Sequence, residues 1–132
     1  MIVIDASALL EILLRTDRAD RLMERAFSGS EQMHAPQLLD IEITQVLRRL
    51  VRQREITAPR AEQALQDLSN LLIERHEHQE FIQRIWQLRD SLSAYDVAYV
   101  ALAEALAAPL LTCDGKLAGA PGHRAKIELI AY

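Results

Sequence analysis

The chain begins with a short apolar run that ends abruptly in an acid, in the sequence MIVIDASALL. Residues 2–4 are all apolar and β-branched, which is typical of a strand buried on both faces of a parallel sheet. The leucines that follow have helical spacing, so a helix is predicted over residues 6–15. Asp5 therefore lies at the end of a strand, and in open α/β sheets ligands bind beyond the carboxyl ends of the strands. This start predicts a parallel sheet covered by helices and makes Asp5 a candidate site residue.

The rest of the chain continues this alternation of short apolar strands and longer amphipathic helices. Further strands are predicted at residues 32–35, 73–77, 110–113 and 127–130. Further helices are predicted at residues 17–27, 36–54, 57–72, 80–92 and 94–107, and turns at 28–30 and 119–122. We predict an α/β fold, with a short parallel sheet flanked by α-helices, in a single domain covering residues 1–132.

Composition excludes several classes of protein. The net charge of −4 argues against a surface that is basic all over, although it leaves room for a local basic rim. No stretch approaches the ~20 apolar residues of a membrane span. The first residues lack the basic region and cleavage site of a signal peptide. Cys113 is the only cysteine, so no intrachain disulfide forms, and we expect a small buried thiol in a cytoplasmic protein with no membrane contact.

Three more acids occupy positions similar to that of Asp5. Asp114 directly follows a predicted strand, Glu42 borders the apolar stripe of the third helix, and Asp96 lies in the first turn of a later helix. Each acid also has an ordinary structural explanation. Asp5 and Asp96 are in positions that cap helices, Asp114 begins an Asp-Gly turn, and Glu42 can be one more acid on a helix boundary.

Taken together, the four acids predict a metal site. Carboxylates that lie close together raise one another's pKa, and a hard divalent cation relieves that repulsion. Mg²⁺ or Mn²⁺ takes oxygen ligands and completes its shell with water and phosphate. Such an ion can orient and activate a water and neutralise charge at phosphorus.

At these positions the chain resembles the PIN-domain ribonucleases, and in particular the VapC-type toxins of VapBC toxin–antitoxin modules. The resemblance rests on MIVIDASALL, on the helix with Glu42, on LSAYDVAYVALAEALAAPLLTCD and on the GKLA that follows it. It covers essentially the whole chain and implies a PIN-like fold. It assigns the catalytic metal ligands to Asp5, Glu42, Asp96 and Asp114. It gives Ser7 and Thr112 a supporting role, in which each hydroxyl binds a carboxylate or a water on the metal. The alternatives are an ordinary hydroxyl at the start of a helix for Ser7 and an ordinary strand threonine for Thr112.

The resemblance also implies an activity and partners. It describes a metal-dependent endoribonuclease that acts as the toxin of a type II module and leaves 5′-phosphate and 3′-hydroxyl ends. The cofactor is Mg²⁺ or Mn²⁺. The implied partners are RNA, a cognate VapB-type antitoxin, and a second copy of the chain in a homodimer or a higher toxin–antitoxin assembly.

An acidic site that cuts a polyanion needs nearby cations. The candidates for RNA contact are Lys116, Arg48 and Arg49. The two arginines have alternatives, because basic side chains at the end of a helix complement its dipole or contact an acidic antitoxin segment.

Two further features are interpreted as structural. His76 and His78 form a His-x-His pair, but no other histidine or cysteine lies nearby in the sequence, so an exposed edge is predicted rather than a metal site. Tyr99 is expected in the core or in an interface.

Two alternative functions remain open. A receiver-type signalling module also places aspartates at strand ends, but it needs two adjacent acids early in the chain and a phospho-acceptor after a middle strand, and neither is found. A catalytically inactive PIN-like domain that only binds RNA or protein is the other alternative, and the retention of all four acids argues against it.

Overall fold

The computed structural model describes residues 1–28 and 31–131, so most of the predicted turn at residues 28–30 lies outside the described residues. The described strands are β1 (Ile2–Ile4), β2 (Met33–Pro36), β3 (Ile73–His76), β4 (Leu110–Thr112) and β5 (Ile127–Leu129). The described α-helices are α1 (Ala6–Leu13), α2 (Ala19–Phe27), α3 (Leu38–Arg52), α4 (Ala58–Asn70), α5 (Ile82–Gln87), α6 (Ala94–Leu106) and α7 (Gly115–Gly119). None of these helices is long and apolar enough to cross a membrane.

The five strands form one sheet in the order β3-β2-β1-β4-β5, and every neighbouring pair is parallel. The carboxyl ends of all five strands therefore meet at one edge of the sheet. β1 occupies the centre, with β2 on one side and β4 on the other. The predicted α/β fold with a parallel sheet and flanking helices is confirmed.

The core is built around β1, whose three residues are completely buried. Helices supply its covering side chains, including Leu9 of α1, Ile43 of α3 and Val100 of α6, which are also completely buried. Each such side chain contributes roughly 1.5–3 kcal/mol relative to an exposed one. Cys113 is buried as predicted. The dense packing fixes the ends of β1 and β4, and with them the acids that follow.

The structure differs from the sequence prediction at three places. The helix predicted at residues 80–92 is a 3₁₀ turn (Gln79–Phe81) and the short α5, which ends before the buried Leu88. Pro36 ends β2 instead of lying in the first turn of α3, because pairing with β3 continues through the bond from the Gln37 amide to the His76 carbonyl (2.9 Å). The chain after Asp114 forms α7 where the sequence indicated only a turn.

Candidate active site

The structure places the four predicted acids around the carboxyl ends of β1 and β4. Asp5 follows β1 and caps α1, while Asp114 follows β4 and caps α7. Glu42 comes from α3 and Asp96 from the first turn of α6. The charge of Asp96 acts on both Asp5 and Glu42, and the charge of Asp114 acts on Asp96. Four separate elements thus bring their carboxylates into one electrostatically connected group.

Asp5 is the most tightly held of these acids. Its side chain lies in the core, with the residue only 5% exposed. Its Oδ1 accepts from the Ser7 hydroxyl (2.7 Å) and from the Ala8 amide (3.0 Å), and its Oδ2 accepts from the Thr112 hydroxyl (2.5 Å). Asp5 is therefore both a helix cap and a carboxylate held by donors on both oxygens.

The two hydroxyls also fix the turn that carries Asp114. Thr112 Oγ1 accepts from the amide of Asp114 (2.9 Å), and Ser7 Oγ accepts from the amide of Cys113 (3.0 Å). The two hydroxyl oxygens lie 3.2 Å apart, but each carries a single hydrogen. The short bonds to Asp5 use both hydrogens. Ser7 and Thr112 therefore connect the end of β1 to the end of β4.

Glu42 is held by a residue that the sequence analysis did not place in the site. The Tyr99 hydroxyl donates to Glu42 Oε1 over 2.5 Å. Tyr99 is 2% exposed, so its predicted burial is confirmed, but its polar end faces the acids. The available signal was its position three residues after Asp96, which puts both side chains on one face of α6, since a buried tyrosine hydroxyl needs a partner.

Burial raises the pKa of three of the acids. Desolvation is the largest cause for Asp5, Glu42 and Asp96, and neighbouring acids add to each shift. The bond from Tyr99 lowers the pKa of Glu42 but does not cancel the effect of burial. A raised pKa means that folding disfavours the charged form, so these acids cost stability at pH values above their folded pKa. Bound positive charge would offset that cost.

The donor set fits a hard divalent cation. Every predicted ligand is a carboxylate, which suits Mg²⁺ or Mn²⁺ better than a nitrogen-preferring metal. Within the described part of the chain, no three of these four acids bring oxygen atoms within 4.8 Å of one another. Water would then complete the shell of an ion here, and Mg²⁺ commonly keeps several waters.

Two cavities flank the acids, and basic side chains line both. One, of about 730 Å³, is lined by Asp96 together with Lys116 and Arg89. The other, of about 350 Å³, is lined by Glu42 together with Arg49. Arg48 is exposed and lines neither of them.

One of these cations was missed by the sequence analysis. Arg89 stacks over the exposed ring of Trp86, with its guanidinium carbon 4.5 Å from the ring centroid. It lies in the turn after α5, where no motif distinguished it from other surface arginines. Lys116, which the sequence did indicate, has its Nζ 3.7 Å from Asp114 Oδ2.

The predicted edge is confirmed, because β3 is an edge strand of the described sheet and His78 is exposed, but His76 is half-buried and has a close neighbour. β2 places His34 against His76, with His34 Nδ1 and His76 Nε2 only 2.8 Å apart. The two residues are 42 positions apart in the sequence, and only the pairing of β2 with β3 brings them together.

Replacing Tyr99 with phenylalanine is expected to weaken divalent-metal binding by about 10- to 100-fold while leaving the fold intact. The change removes the donor that holds Glu42 but keeps the buried ring, and loss of a partner that orients a metal ligand has effects of this size. The measurement is a Mg²⁺ titration by calorimetry, with Tyr95→Phe as control, since Tyr95 is exposed on the same helix. Equal affinities in the two variants would remove Tyr99 from the site.

Comparison with known proteins gives a consistent result. The family model for the PIN domain matches residues 2–122. Ribonuclease VapC12 of Mycobacterium tuberculosis is 41% identical over 131 residues, covering 99% of this chain and 100% of the relative. Ribonuclease VapC9 of the same organism is 43% identical over 117 residues, covering 89% and 88%. Ribonuclease VapC1, also from that organism, is 40% identical over 129 residues, covering 97% and 96%.

The crystal structure of M. tuberculosis VapC20, described as a toxin that cleaves the sarcin–ricin loop, shares the fold. It matches with a TM-score of 0.67 over 94% of this chain and 99% of that chain. Its sequence identity is 13%, so the likeness concerns architecture alone.

Proposed function

The chain belongs to the PIN-domain family, and from this premise we propose that it is an endoribonuclease that acts as the toxin of a type II toxin–antitoxin module. The observation that carries the proposal is the group of four acids around the ends of β1 and β4, with Asp5 held on both oxygens. Relatives with 40–43% identity over most of the chain are named ribonucleases, which supports RNA as the substrate class. Membership of this family also excludes the receiver-type alternative.

The cofactor we propose is Mg²⁺ or Mn²⁺, held by Asp5, Glu42, Asp96 and Asp114. An ion there supplies orientation of water and neutralisation of charge on the phosphate. The all-oxygen donor set and the raised pKa values of three of the acids support this choice.

The protein's own side chains prepare this site before any ligand arrives. The hydroxyls of Ser7 and Thr112 keep Asp5 in one orientation, and Tyr99 does the same for Glu42. Preorganised ligands of this kind do not have to reorganise when charge develops in the transition state. The reaction adds water across the bond between phosphorus and the 3′-oxygen and leaves a 5′-phosphate and a 3′-hydroxyl. It does not use the ribose 2′-hydroxyl.

RNA would enter along the two cavities beside the acids. Lys116 and Arg49 line them and are the proposed phosphate contacts, with Arg89 as a further cation beside Asp96. Arg48 is proposed to contact a more distant part of the strand. Such local cations let a chain with a net charge of −4 attract a polyanion.

The proposed partners are a VapB-type antitoxin and a second copy of the chain, in a cytoplasmic complex of single-domain subunits. Large apolar side chains that are exposed on the described surface supply contact area for such partners. They include Leu72, Ile82, Trp86 and Tyr95.

Purified protein is expected to cut RNA at discrete positions in the presence of Mn²⁺ or Mg²⁺, leaving 5′-phosphates. Total cellular RNA is the substrate, and the ends are mapped by sequencing. EDTA and the Asp5→Asn variant are the controls, and both should abolish the cuts. A synthetic substrate with a 2′-deoxy sugar at the mapped site should still be cut. Ends with a 2′,3′-cyclic phosphate would contradict the proposed reaction, and the absence of both cutting and metal binding would favour the inactive RNA- or protein-binding alternative.

A further inference from the structure

A second group of ligand-type side chains lies on the side of the sheet away from β4, between β2 and β3. His34 of β2 is in register with Glu74 of β3, and Pro36 is in register with His76. Alternate residues of a strand share a face, so the side chains of His34, Glu74 and His76 project from the same face. One ligand atom from each of the three lies within 4.8 Å of the other two, and among the described residues no other such group is found.

The contacts within the group are close. His34 Nδ1 lies 2.8 Å from His76 Nε2 and 3.6 Å from Glu74 Oε2. Two imidazole nitrogens at 2.8 Å can share only one proton. The His34 side chain is 4% exposed, and its Nε2 has no hydrogen-bond partner among the described residues. The nitrogen of His34 that points into the group is Nδ1, so this is the atom that could share a ligand with Glu74 and His76.

We propose that His34, Glu74 and His76 form a second metal site, which binds Zn²⁺. Two imidazoles and one carboxylate are a ligand set that suits zinc and not a hard cation such as Mg²⁺. Zinc–nitrogen bonds of about 2.0–2.1 Å in a tetrahedron place the two nitrogens about 3.3 Å apart. The pair therefore has to open by only ~0.5 Å, and His76, at the end of an edge strand, is half-buried and has room to move.

The fourth position of this site would face solvent. The Glu74 side chain is 52% exposed, so the carboxylate closes the outer side only in part. A water can complete the tetrahedron there.

This site is distinct from the acidic site. The acids follow β1 and β4 or come from α3 and α6, and neither His34 nor His76 contributes to the pKa shifts of Asp5, Glu42 or Asp96. Zinc here would cross-link the edge strand β3 to β2. Because α3 follows β2 after a single residue, this cross-link would also restrain the helix that carries Glu42.

The test is a calorimetric titration of the metal-free protein with Zn²⁺ in excess Mg²⁺, which occupies the acidic site. Wild type is expected to bind one Zn²⁺, and His76→Ala to bind it at least about tenfold more weakly. His78→Ala is the matched control, an exposed histidine two residues away, and should bind as wild type does. Asp96→Asn should also bind as wild type does, because it alters only the acidic site.

A second readout is the zinc-induced rise in melting temperature, which should occur in wild type and His78→Ala but not in His76→Ala. Glu74→Gln provides an independent variant, since an exposed side chain can be changed without loss of folding, and it should weaken zinc binding in the same direction. Equal zinc affinities in wild type, His76→Ala and Glu74→Gln would overturn the proposal. Loss of the site in Asp96→Asn would overturn it as well, because zinc would then be binding the acids.

Discussion

Replacing Asp96 with asparagine is expected to reduce RNA cleavage by at least about a hundredfold while making the metal-free protein more stable at pH 7. The first effect follows from the loss of a proposed metal ligand, since even residues behind the ligands contribute 10- to 100-fold. The second follows from the raised pKa of Asp96, whose largest causes are burial and the charge of Asp114. Asparagine keeps a polar group in the first turn of α6 but carries no charge.

The sign of the stability change in Asp96→Asn can be checked by measuring the melting temperature at several pH values. Folding disfavours the Asp96 carboxylate, so its cost is present above the folded pKa and disappears below the ordinary aspartate pKa of about 3.9. A negative charge near a helix N-terminus is favourable by ~0.3–1 kcal/mol, which acts in the opposite direction. Burial and the charge of Asp114 raise the pKa of Asp96, and we expect their effect on stability to exceed that of the helix interaction. The gain in melting temperature should therefore shrink as the pH falls toward 4.

Asp20→Asn is the matched control for this experiment. Asp20 also lies in the first turn of a helix, α2, but it is exposed and outside the group of four acids. Its replacement removes only the favourable helix interaction, so this variant should cut RNA normally and melt at an equal or slightly lower temperature. Cleavage by Asp96→Asn at the wild-type rate would remove Asp96 from the site. Lower stability of metal-free Asp96→Asn than of the metal-free wild type would show that the charge of Asp96 does not destabilise the fold.

The sequence predicts the central part of the fold well because those elements are determined locally. β1 and β4 are short apolar runs buried on both faces, and their parallel arrangement brings the acids that follow them to one edge of the sheet. The helix predicted at residues 80–92 failed for the complementary reason. Helical spacing describes which residues share a face, but it does not locate the end of a helix, and α5 ends at Gln87 although the buried Leu88 follows it.

The contacts that organise the two sites were not predictable in this way. The bond from Tyr99 to Glu42 spans 57 positions, and the contact between His34 and His76 spans 42. Sequence spacing carries no information on such pairs until the order of the strands and the positions of α3 and α6 around the sheet are known. For the same reason, the sequence did not show that His76 of the His-x-His pair contacts His34 in the folded chain.

Adding Mg²⁺ or Mn²⁺ to the metal-free protein at about 100 times its dissociation constant is expected to raise the melting temperature by roughly 10 °C. Binding to the folded state alone at that concentration stabilises it by about 2.7 kcal/mol, and a chain of this size gains roughly 4 °C per kcal/mol. The unfolded chain offers no assembled group of acids, so it does not compete for the ion. The measurement is a thermal melt followed by circular dichroism, with EDTA reversing the shift.

The pH dependence of that shift distinguishes this site from non-specific ion effects. Protons compete with the cation for Asp5, Glu42 and Asp96, whose pKa values are raised by burial. Metal binding should therefore be strong at pH 7–8 and should weaken as the pH falls through the raised pKa values. Asp96→Asn should lose most of the metal-induced rise in melting temperature. His76→Ala should keep it, because His34, Glu74 and His76 lie between β2 and β3, away from the four acids. A melting temperature indifferent to millimolar Mg²⁺ and Mn²⁺ would contradict the assignment of the four acids as ligands. A shift lost in His76→Ala would mean that these ions bind between β2 and β3 instead.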